Sequence, residues 1–537
     1  GSSSVYKHSL KSYGDTIKLD GRTINVVPQQ CSSGPSRQLK PRSSRALLRP
    51  SASGPPALQD GAVLRGLVCA VGFSLVSRKA TRSCFAGRPQ YRARREFSRA
   101  QGDSQQTPEA PVWLGITRFV VPTYALVVTS MILTAVDKAF IGRVSSLQLA
   151  SLGPSGAVFD CCSYLLTFLN TATLAFLTSE PEQRHSSIRI HAIVFSVGSG
   201  AALGVFLLLL AVPAVRLLGA SSAMLPPAVI YLQLRALGAP VDRLGSVCTQ
   251  FWLAQKDGIT PMVATLIAAV FNAGGDYLLC AKYGTAGAAV ATVVSSAISA
   301  GYLVWRLRAR GLWPRPFQWP KWADFKPFAA FAGPVFLILL LKIISFAAMT
   351  AFATMLGTAP AAAHQVLVSL FFVSGIAVGQ PLSWAAQTYF PGTKGTQRRH
   401  TVRALIGVTS AGIVIGSGMC AMMAKCCLSW FTRDALVRGE AMAAAPAVVA
   451  FVGLYIGFLS LEGTAIALRK LRMCVIISFL LVTFSGLSML QLARQGLLTL
   501  RTLWAAQTTV LTLATAAMGI TVAWSLRTGR ESANETE

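Results

Sequence analysis

A carboxylate and an amide stand four residues apart in Phe271-Asn272-Ala-Gly-Gly-Asp276-Tyr277, inside an otherwise apolar run. Spacing of four places both side chains on one stripe of a helix. Their oxygens suit a Na⁺ ion, and the carboxylate alone suits a proton. Gly274 and Gly275 between them allow a neighbouring helix to come close. A second acid, Asp137, ends an earlier apolar run in Ala135-Val-Asp-Lys-Ala-Phe-Ile-Gly-Arg143, and Pro122 lies upstream in the same run. A proline inside a helix frees a backbone carbonyl and permits a bend. Pro122 and Asp137 therefore offer a way to couple bending to protonation. The competing reading is an interfacial pair of Asp137 and Lys138 at a helix end. Thr292, in Gly287-Ala-Ala-Val-Ala-Thr292, adds a hydroxyl that serves equally well in helix packing.

Other polar residues are stranded in apolar surroundings. Lys342 sits in Phe336-Leu-Ile-Leu-Leu-Leu-Lys342-Ile-Ile344, and Glu462 in Leu459-Ser-Leu-Glu462-Gly-Thr464. A lone charge at membrane depth costs about 3 kcal/mol on insertion scales, so such groups face a partner or a cavity. Lys342 and Glu462 are expected to share one internal space as an ion pair, with a purely structural pair as the alternative. Lys342 beside that space favours an organic anion as ligand, since a buried ammonium pairs with a carboxylate. Asp160, Arg235, Asp242 and Arg243 are two acids and two bases for which mutual structural pairing is expected. His364 and Gln365 open a later apolar run. A lone histidine there reads as a hydrogen-bonding residue at a helix end rather than a proton relay.

The elements that must position these groups are long apolar segments. Only 13% of the 537 residues are charged, against about 25% in soluble domains. Runs of about 18 apolar residues or more cross a bilayer as helices. Twelve are expected, over approximately 112–135, 146–178, 191–217, 227–254, 260–280, 285–307, 328–353, 360–390, 402–424, 443–468, 471–493 and 501–526. The fold expected is therefore an all-α polytopic membrane protein with two six-helix lobes, 111–308 and 328–527. A Pro-, Trp- and Arg-containing linker at 309–327 joins them, a leader covers 1–110, and a tail covers 528–537. Loops on the side of the two termini carry about twice the Lys and Arg of the opposite side, which places both termini on the cytosolic or stromal face. Leu149-Ala-Ser-Leu-Gly-Pro154 opens span two and Pro360-Ala-Ala-Ala-His-Gln365 opens span eight, a faint echo between halves. Paired six-helix bundles are a common transporter plan, with ligand and ion bound between helices near mid-membrane.

The formal charge of +29 does not imply nucleic acid. The basic residues lie in the leader and the loops, with no basic stripe interleaved with aromatics. The 11 cysteines form no CxxC and no zinc-spaced cluster, so no metal site and no cofactor are expected. No nucleophile–base pair, metal motif or phosphate loop suggests an enzyme. The Ser-, Arg- and Pro-rich leader contains a short apolar run at 62–77 followed by Phe85-Ala-Gly-Arg-Pro89. That order suits an organelle-targeting leader.

Several strings together resemble the multidrug and toxic compound extrusion (MATE) transporters. AVDKAFIGR with LQLASLGP is similar to their first and second spans. YLQLRALGAP, NAGGDYLL and GTAGAAVAT are similar to spans four to six, and AAAHQV to span eight. LGPSGAVFDCCSY, PVFLILLLKI, GQPLSWAAQ and LSLEGTAIA resemble the plastid-envelope branch, which includes an exporter of isochorismate or salicylate. The resemblance implies a cation or proton site at Asp137, Asn272, Asp276 and Thr292, with Pro122 where the first helix bends. It implies a substrate cavity at Lys342, Glu462, Gln380 and Gln365. Members of that branch carry an acid where this chain has Gln380; if that acid helps coupling, this chain has lost it or Glu462 serves instead. The expected activity is antiport of a small organic solute against H⁺ or Na⁺ by a monomer in the plastid envelope bilayer, without nucleic acid. The alternatives are a lipid-intermediate flippase of related fold and a non-transporting scaffold.

Overall fold

The computed structural model describes residues 111–218, 220–315, 319, 322–431 and 434–534, all within the compact unit Gln106–Glu537. The leader, its apolar run at 62–77, part of the linker and the last tail residues lie outside the described residues. In chain order the helices are α1 (Val112–Val144), α2 (Ser146–Leu165), α3 (Phe168–Ser179), α4 (His185–Leu217), α5 (Leu225–Ala254), α6 (Ile259–Tyr283) and α7 (Thr285–Ala309). The second half follows as α8 (Trp322–Met355), α9 (Thr358–Phe371), α10 (Ala377–Tyr389), α11 (Gly395–Cys426), the single turn α12 (Leu428–Phe431), α13 (Ala435–Ala467), α14 (Leu471–Arg494) and α15 (Leu500–Asn534). No strand occurs among the described residues.

Helix is the form in which a segment satisfies its own backbone hydrogen bonds inside lipid. Eleven of the helical runs are long and apolar enough to cross a membrane. The run outside that set is α5, which carries Arg235, Asp242 and Arg243 and begins with prolines in its first turn. Helix starts are fixed by short polar side chains. The Asp257 carboxylate accepts from the amides of Ile259 and Thr260 at the start of α6, each at 3.0 Å, and Asp434 accepts from Leu436 N at the start of α13.

Two expectations are refined. The first helix runs to Val144 rather than 135, so Asp137 lies within it instead of at its end. Spans two and eight, which the faint echo pairs, are both interrupted midway. Span two breaks between α2 and α3 at Leu166 and Thr167, and span eight widens into a π turn at Phe372–Ile376 between α9 and α10. A π turn displaces one residue from the helical ladder and often marks a functional region.

The two halves pack against each other at the N-terminal side. Ile116 and Phe119 of α1, Leu174 of α3 and Leu253 of α5 form one apolar cluster with Ala385, Ala386 and Phe390 of the second half and Leu405 of α11. Phe176 of α3 stacks on Phe328 of α8, ring centroids 5.7 Å apart, and meets Phe331 at a tilt, 5.4 Å away. At the opposite end, the cluster of Ile141, Leu152, Cys280 and Ala288 draws on first-half helices. The closed side is also latched by polar contacts. Arg469 Nη2 donates to Ser179 Oγ at 2.8 Å and to Glu180 Oε1 at 3.3 Å. Tyr389 donates its hydroxyl proton to Gly115 O at 3.0 Å, and Lys256 Nζ lies 5.0 Å from the Tyr389 ring centroid. Lys256 and Arg469 are the non-glycine residues with left-handed backbone among those described, φ 59° and 57°. Each projects from its own half onto the other.

Removing the Arg469 side chain should loosen the closed side. Exposed ion pairs contribute at most about 1 kcal/mol, so Arg469→Ala should raise the population open at the N-terminal side by about fivefold or less. Spin labels at Glu182 and Arg472 report this as a growing long-distance component in pulsed dipolar spectra. An unchanged distribution would show that the apolar cluster alone holds the halves together.

Candidate cation site and central cavity

Helices α1, α6 and α7 meet so closely that four polar side chains share one buried space. Gly275 makes this possible, because a Cβ built there would lie 2.8 Å from Ala291 Cβ of α7. Gly274, by contrast, faces open space, so one of the two glycines serves the close approach expected of both. Asn272 and Asp276 are fully buried, and Asp137 is 8% exposed. Asn272 Nδ2 donates to Asp137 Oδ1 at 2.5 Å and to Asp276 Oδ2 at 3.1 Å. Thr292 Oγ1 lies 3.4 Å from Asp137 Oδ2 and donates to its own helix at Ala288 O, 2.8 Å away. All four residues expected to form a cation site are thus brought together. An ion pair of Asp137 with Lys138 is not formed among the described residues, which disposes of the interfacial reading.

Two further residues belong to the cluster. Ser295 Oγ donates to the amide oxygen Asn272 Oδ1 at 3.1 Å, and Cys280 Sγ lies 3.6 Å from Asp276 Oδ1. Ser295 follows Thr292 by three residues and Cys280 follows Asp276 by four, so helical spacing alone could have found both. The serine decides the orientation of the amide. With its oxygen held by Ser295, Asn272 must turn its NH₂ towards the two carboxylates. Two acids sharing one amide group repel each other, and a proton or Na⁺ between them relieves that repulsion.

Asp137 and Thr292 also line a cavity of about 910 Å³. Its wall takes Ser130 and Thr134 from α1, Asp160 and Ser163 from α2, Tyr231, Arg235, Asp242, Arg243 and Gln250 from α5, and Gln365, Phe372 and Trp384 from span eight. Both interrupted spans reach it. Asn272 and Asp276 lie behind Asp137, away from this cavity. The α5 charges are only partly paired. Arg235 Nη2 and Asp242 Oδ2 are 4.0 Å apart, while Arg243 donates to the Ser163 carbonyl at 3.2 Å.

Of the residues expected in a substrate cavity, Gln365 lines this space. Lys342 and Glu462 pair with each other, Nζ to Oε2 at 2.7 Å. They sit apart from the large cavity, and Lys342 borders a void of about 40 Å³ among Phe346, Tyr455 and Phe458. Gln380 is half-buried on α10 and borders neither space. His364 is fully buried, with its Nε2 3.3 Å from Thr350 Oγ1 and its ring against Trp504 at 5.6 Å, as suits a hydrogen-bonding residue. Pro122 lies inside α1 and removes the N–H that would have met the carbonyl of Arg118. A second space of about 910 Å³ is a lateral apolar groove between α1 and α10–α11. It is lined by Val120, Val121, Tyr124, Val378 and Gly412, with His400 and Arg403 at one end.

Two substitutions test this arrangement. Ser295→Ala releases the amide oxygen, and one lost hydrogen bond of this kind is worth about 1 kcal/mol. Cation affinity, read from the Na⁺ or H⁺ dependence of conformational labelling, should weaken about fivefold while the melting temperature moves little. Gly275→Val drives a side chain into Ala291 and should separate α6 from α7. It should abolish cation-dependent labelling and lower thermal stability by about 1–3 kcal/mol, the usual cost of overpacking.

Comparison with known proteins bears on the family and the fold. Residues 122–278 match the family model MatE. DETOXIFICATION 47, chloroplastic, of Arabidopsis thaliana is 30% identical over 318 residues, 56% of this chain and 58% of that protein. DETOXIFICATION 44, chloroplastic, of the same plant is 26% identical over 334 residues, 58% of this chain and 63% of that protein. The chain thus spans about three fifths of the length of these relatives. The Vibrio cholerae MATE transporter VcmN superposes with a TM-score of 0.69 at 19% identity, covering 78% of this chain and 97% of that one. A MOP superfamily transporter from Pyrococcus furiosus gives 0.67 at 15% identity, covering 78% and 96%. MATE proteins are transporters rather than enzymes. Residues 122–278 thus match the MatE family model, the chain is homologous to the chloroplastic DETOXIFICATION proteins, and its fold is that of MATE transporters.

Proposed function

We propose that this chain is a secondary active antiporter in which H⁺ or Na⁺, bound among Asp137, Asn272, Asp276 and Thr292, drives export of a small organic solute. One observation carries the reading. Asp137 contributes one face to the buried Asn272–Asp276 cluster and another to the 910 Å³ cavity. An ion that changes the charge of the cluster therefore changes the electrostatics of the solute chamber through a single side chain. Packing closed at the N-terminal side and a chamber between the halves fit one end state of a rocking cycle. A scaffold has no use for two carboxylates at membrane depth, where apolar residues cost less. The chloroplastic relatives and the basic leader support residence in a plastid envelope membrane.

The test is solute flux in proteoliposomes under imposed pH and Na⁺ gradients. Asp276→Asn keeps the shape of the cluster and removes its second negative charge. Gradient-driven flux should fall by about tenfold or more, within the usual range of coupling energies, while passive exchange persists. Full gradient-driven flux in this variant would contradict the assigned cation site.

A second reading rests on the lateral groove. An apolar channel between the halves, with His400 and Arg403 at its mouth, is a feature a lipid flippase would use. Protein-dependent translocation of a fluorescent phospholipid, without flux of any soluble organic ion, would favour that reading over antiport.

A further inference from the structure

The lateral groove is built as a slot with a charged mouth and an apolar interior. One face of α11 supplies a wall whose residue types change along the helix. His400 and Arg403 come first, Gly407 and Ala411 follow, and Ile415 comes last. Spacing of three and four keeps these residues on one stripe. Trp113, Thr117, Val121 and Tyr124 make the matching stripe on α1. The two helices run the same way, because Tyr389, just before α11, meets Gly115, while Tyr124 meets Met419 further along both. The basic mouth is therefore at the end where α1 begins, on the side of the termini.

Inside the slot the polar groups are spent. Thr117 donates its hydroxyl to Trp113 O of its own helix at 2.8 Å. The Tyr124 hydroxyl lies 3.8 Å from Met419 Sδ and bridges α1 to α11 at the far end. Small residues leave the interior open. A Cβ built on Gly407 would meet nothing within 4 Å, whereas one on Gly412 would come within 2.9 Å of Leu382, so α10 closes the floor. An unfilled space between membrane helices forfeits the contacts on which their packing relies.

The mouth has the opposite character. His400 and Arg403 are exposed and enter no ion pair among the described residues. Arg399 adds a further exposed charge beside them. No acid offsets these groups, since α11 contains none and the first acid of α1 is Asp137, well beyond the groove. Trp113, in the first turn of α1, is 54% exposed, as suits an aromatic anchor at the membrane surface. From Pro111 to Tyr124, α1 rises about 20 Å at 1.5 Å per residue. One leaflet of a hydrocarbon core about 30 Å thick is about 15 Å deep. The slot thus spans the headgroup level and the acyl depth of a single leaflet.

We propose that the lateral groove is a binding site for one lipid with an anionic headgroup. The headgroup sits on Arg403 and His400, and one acyl chain lies between α1 and α11 as far as Tyr124. The lipid comes from the leaflet on the side of the termini, because a lipid of the other leaflet would bring its headgroup to the uncharged end. It is resident, held in the slot rather than carried across. The proposal stands whether or not the chain exchanges organic solutes for cations.

Native mass spectrometry of the full-length chain tests this. The chain is released from mixed micelles of equal phosphatidylglycerol and phosphatidylcholine with the same acyl chains, and the lipids that stay bound are counted. Wild type should keep one phosphatidylglycerol in preference to phosphatidylcholine by about fivefold or more, as a basic group near an anionic headgroup provides. His400→Gln/Arg403→Gln should make the two lipids equal, and Arg403→Lys should keep the preference. Gly407→Trp should fill the slot and remove the retained lipid of either kind. Melting temperatures without added lipid show whether each variant folds, and Ala411→Leu replaces the tryptophan variant if that one does not. Equal retention of both lipids by wild type, a preference unchanged in the double glutamine variant, or undiminished retention in the folded slot-filling variant would each overturn the site. A dimer mass without lipid would also overturn it and give the groove to a second copy of the chain. Transfer of fluorescent phosphatidylglycerol between the leaflets of proteoliposomes, abolished by Gly407→Trp, would make the groove a translocation path and overturn residence.

Discussion

One amide group shared between two carboxylates sets the terms for the rest of this protein. Asn272 reaches Asp137 on another helix and Asp276 on its own, and it does so at full burial. Such a contact is tolerable in a membrane only if the surrounding helices hold the amide in one orientation and the acids within reach of an ion. Several features described above serve that requirement. Gly275 brings α7 close, Ser295 fixes the amide, and α1 continues through Asp137 to Val144. The cluster joins three helices that are far apart in sequence, so its occupancy bears on how those helices pack, and α1 in turn packs against α10 and α11 of the other half.

The apolar interface explains why the state seen is closed on one side. Phe119, Leu174, Leu253 and Phe390 meet where the halves touch, and the phenylalanines of α3 and α8 extend that seam. Within lipid such packing gains little from the hydrophobic effect and relies on close fit. At the membrane surface, where water returns, polar latches from Arg469 and Tyr389 complete the closure. The division of labour follows the solvent that each level faces.

Much of this was legible in the sequence, and the exceptions share a cause. The interval from Asn272 to Asp276 follows from helical periodicity, which is local, whereas Thr292 joined them only through the family resemblance. The depth of Asp137 was not legible, because Lys138 and Arg143 beside it read as the end of a span. Within the continuing helix Asp137 turns to the interior of its own half, while Lys138 and Arg143 stay exposed. Lys342 and Glu462 were recognised as partners, yet whether the pair borders the chamber is a tertiary matter decided by residues 120 positions apart. The four charges expected to neutralise one another, Asp160, Arg235, Asp242 and Arg243, yield one loose pair and an arginine held by a carbonyl. Sequence counts charges, but only packing decides which of them meet. The π turn at Phe372–Ile376 left no compositional sign at all.

The first helix has an unusual position. Leu126, Val127, Ser130 and Thr134 form part of the wall of the central chamber, while Val120, Val121 and Tyr124, immediately before them, form part of the wall of the lateral groove. The change-over falls between Tyr124 and Leu126, about one turn after Pro122. A partition between two compartments cannot swing without trading volume between them. Whatever crowds the groove from the bilayer therefore pushes on the helix that carries Asp137, so the acyl composition of the membrane and, under the proposed antiport, the ion gradient become two hands on a single lever.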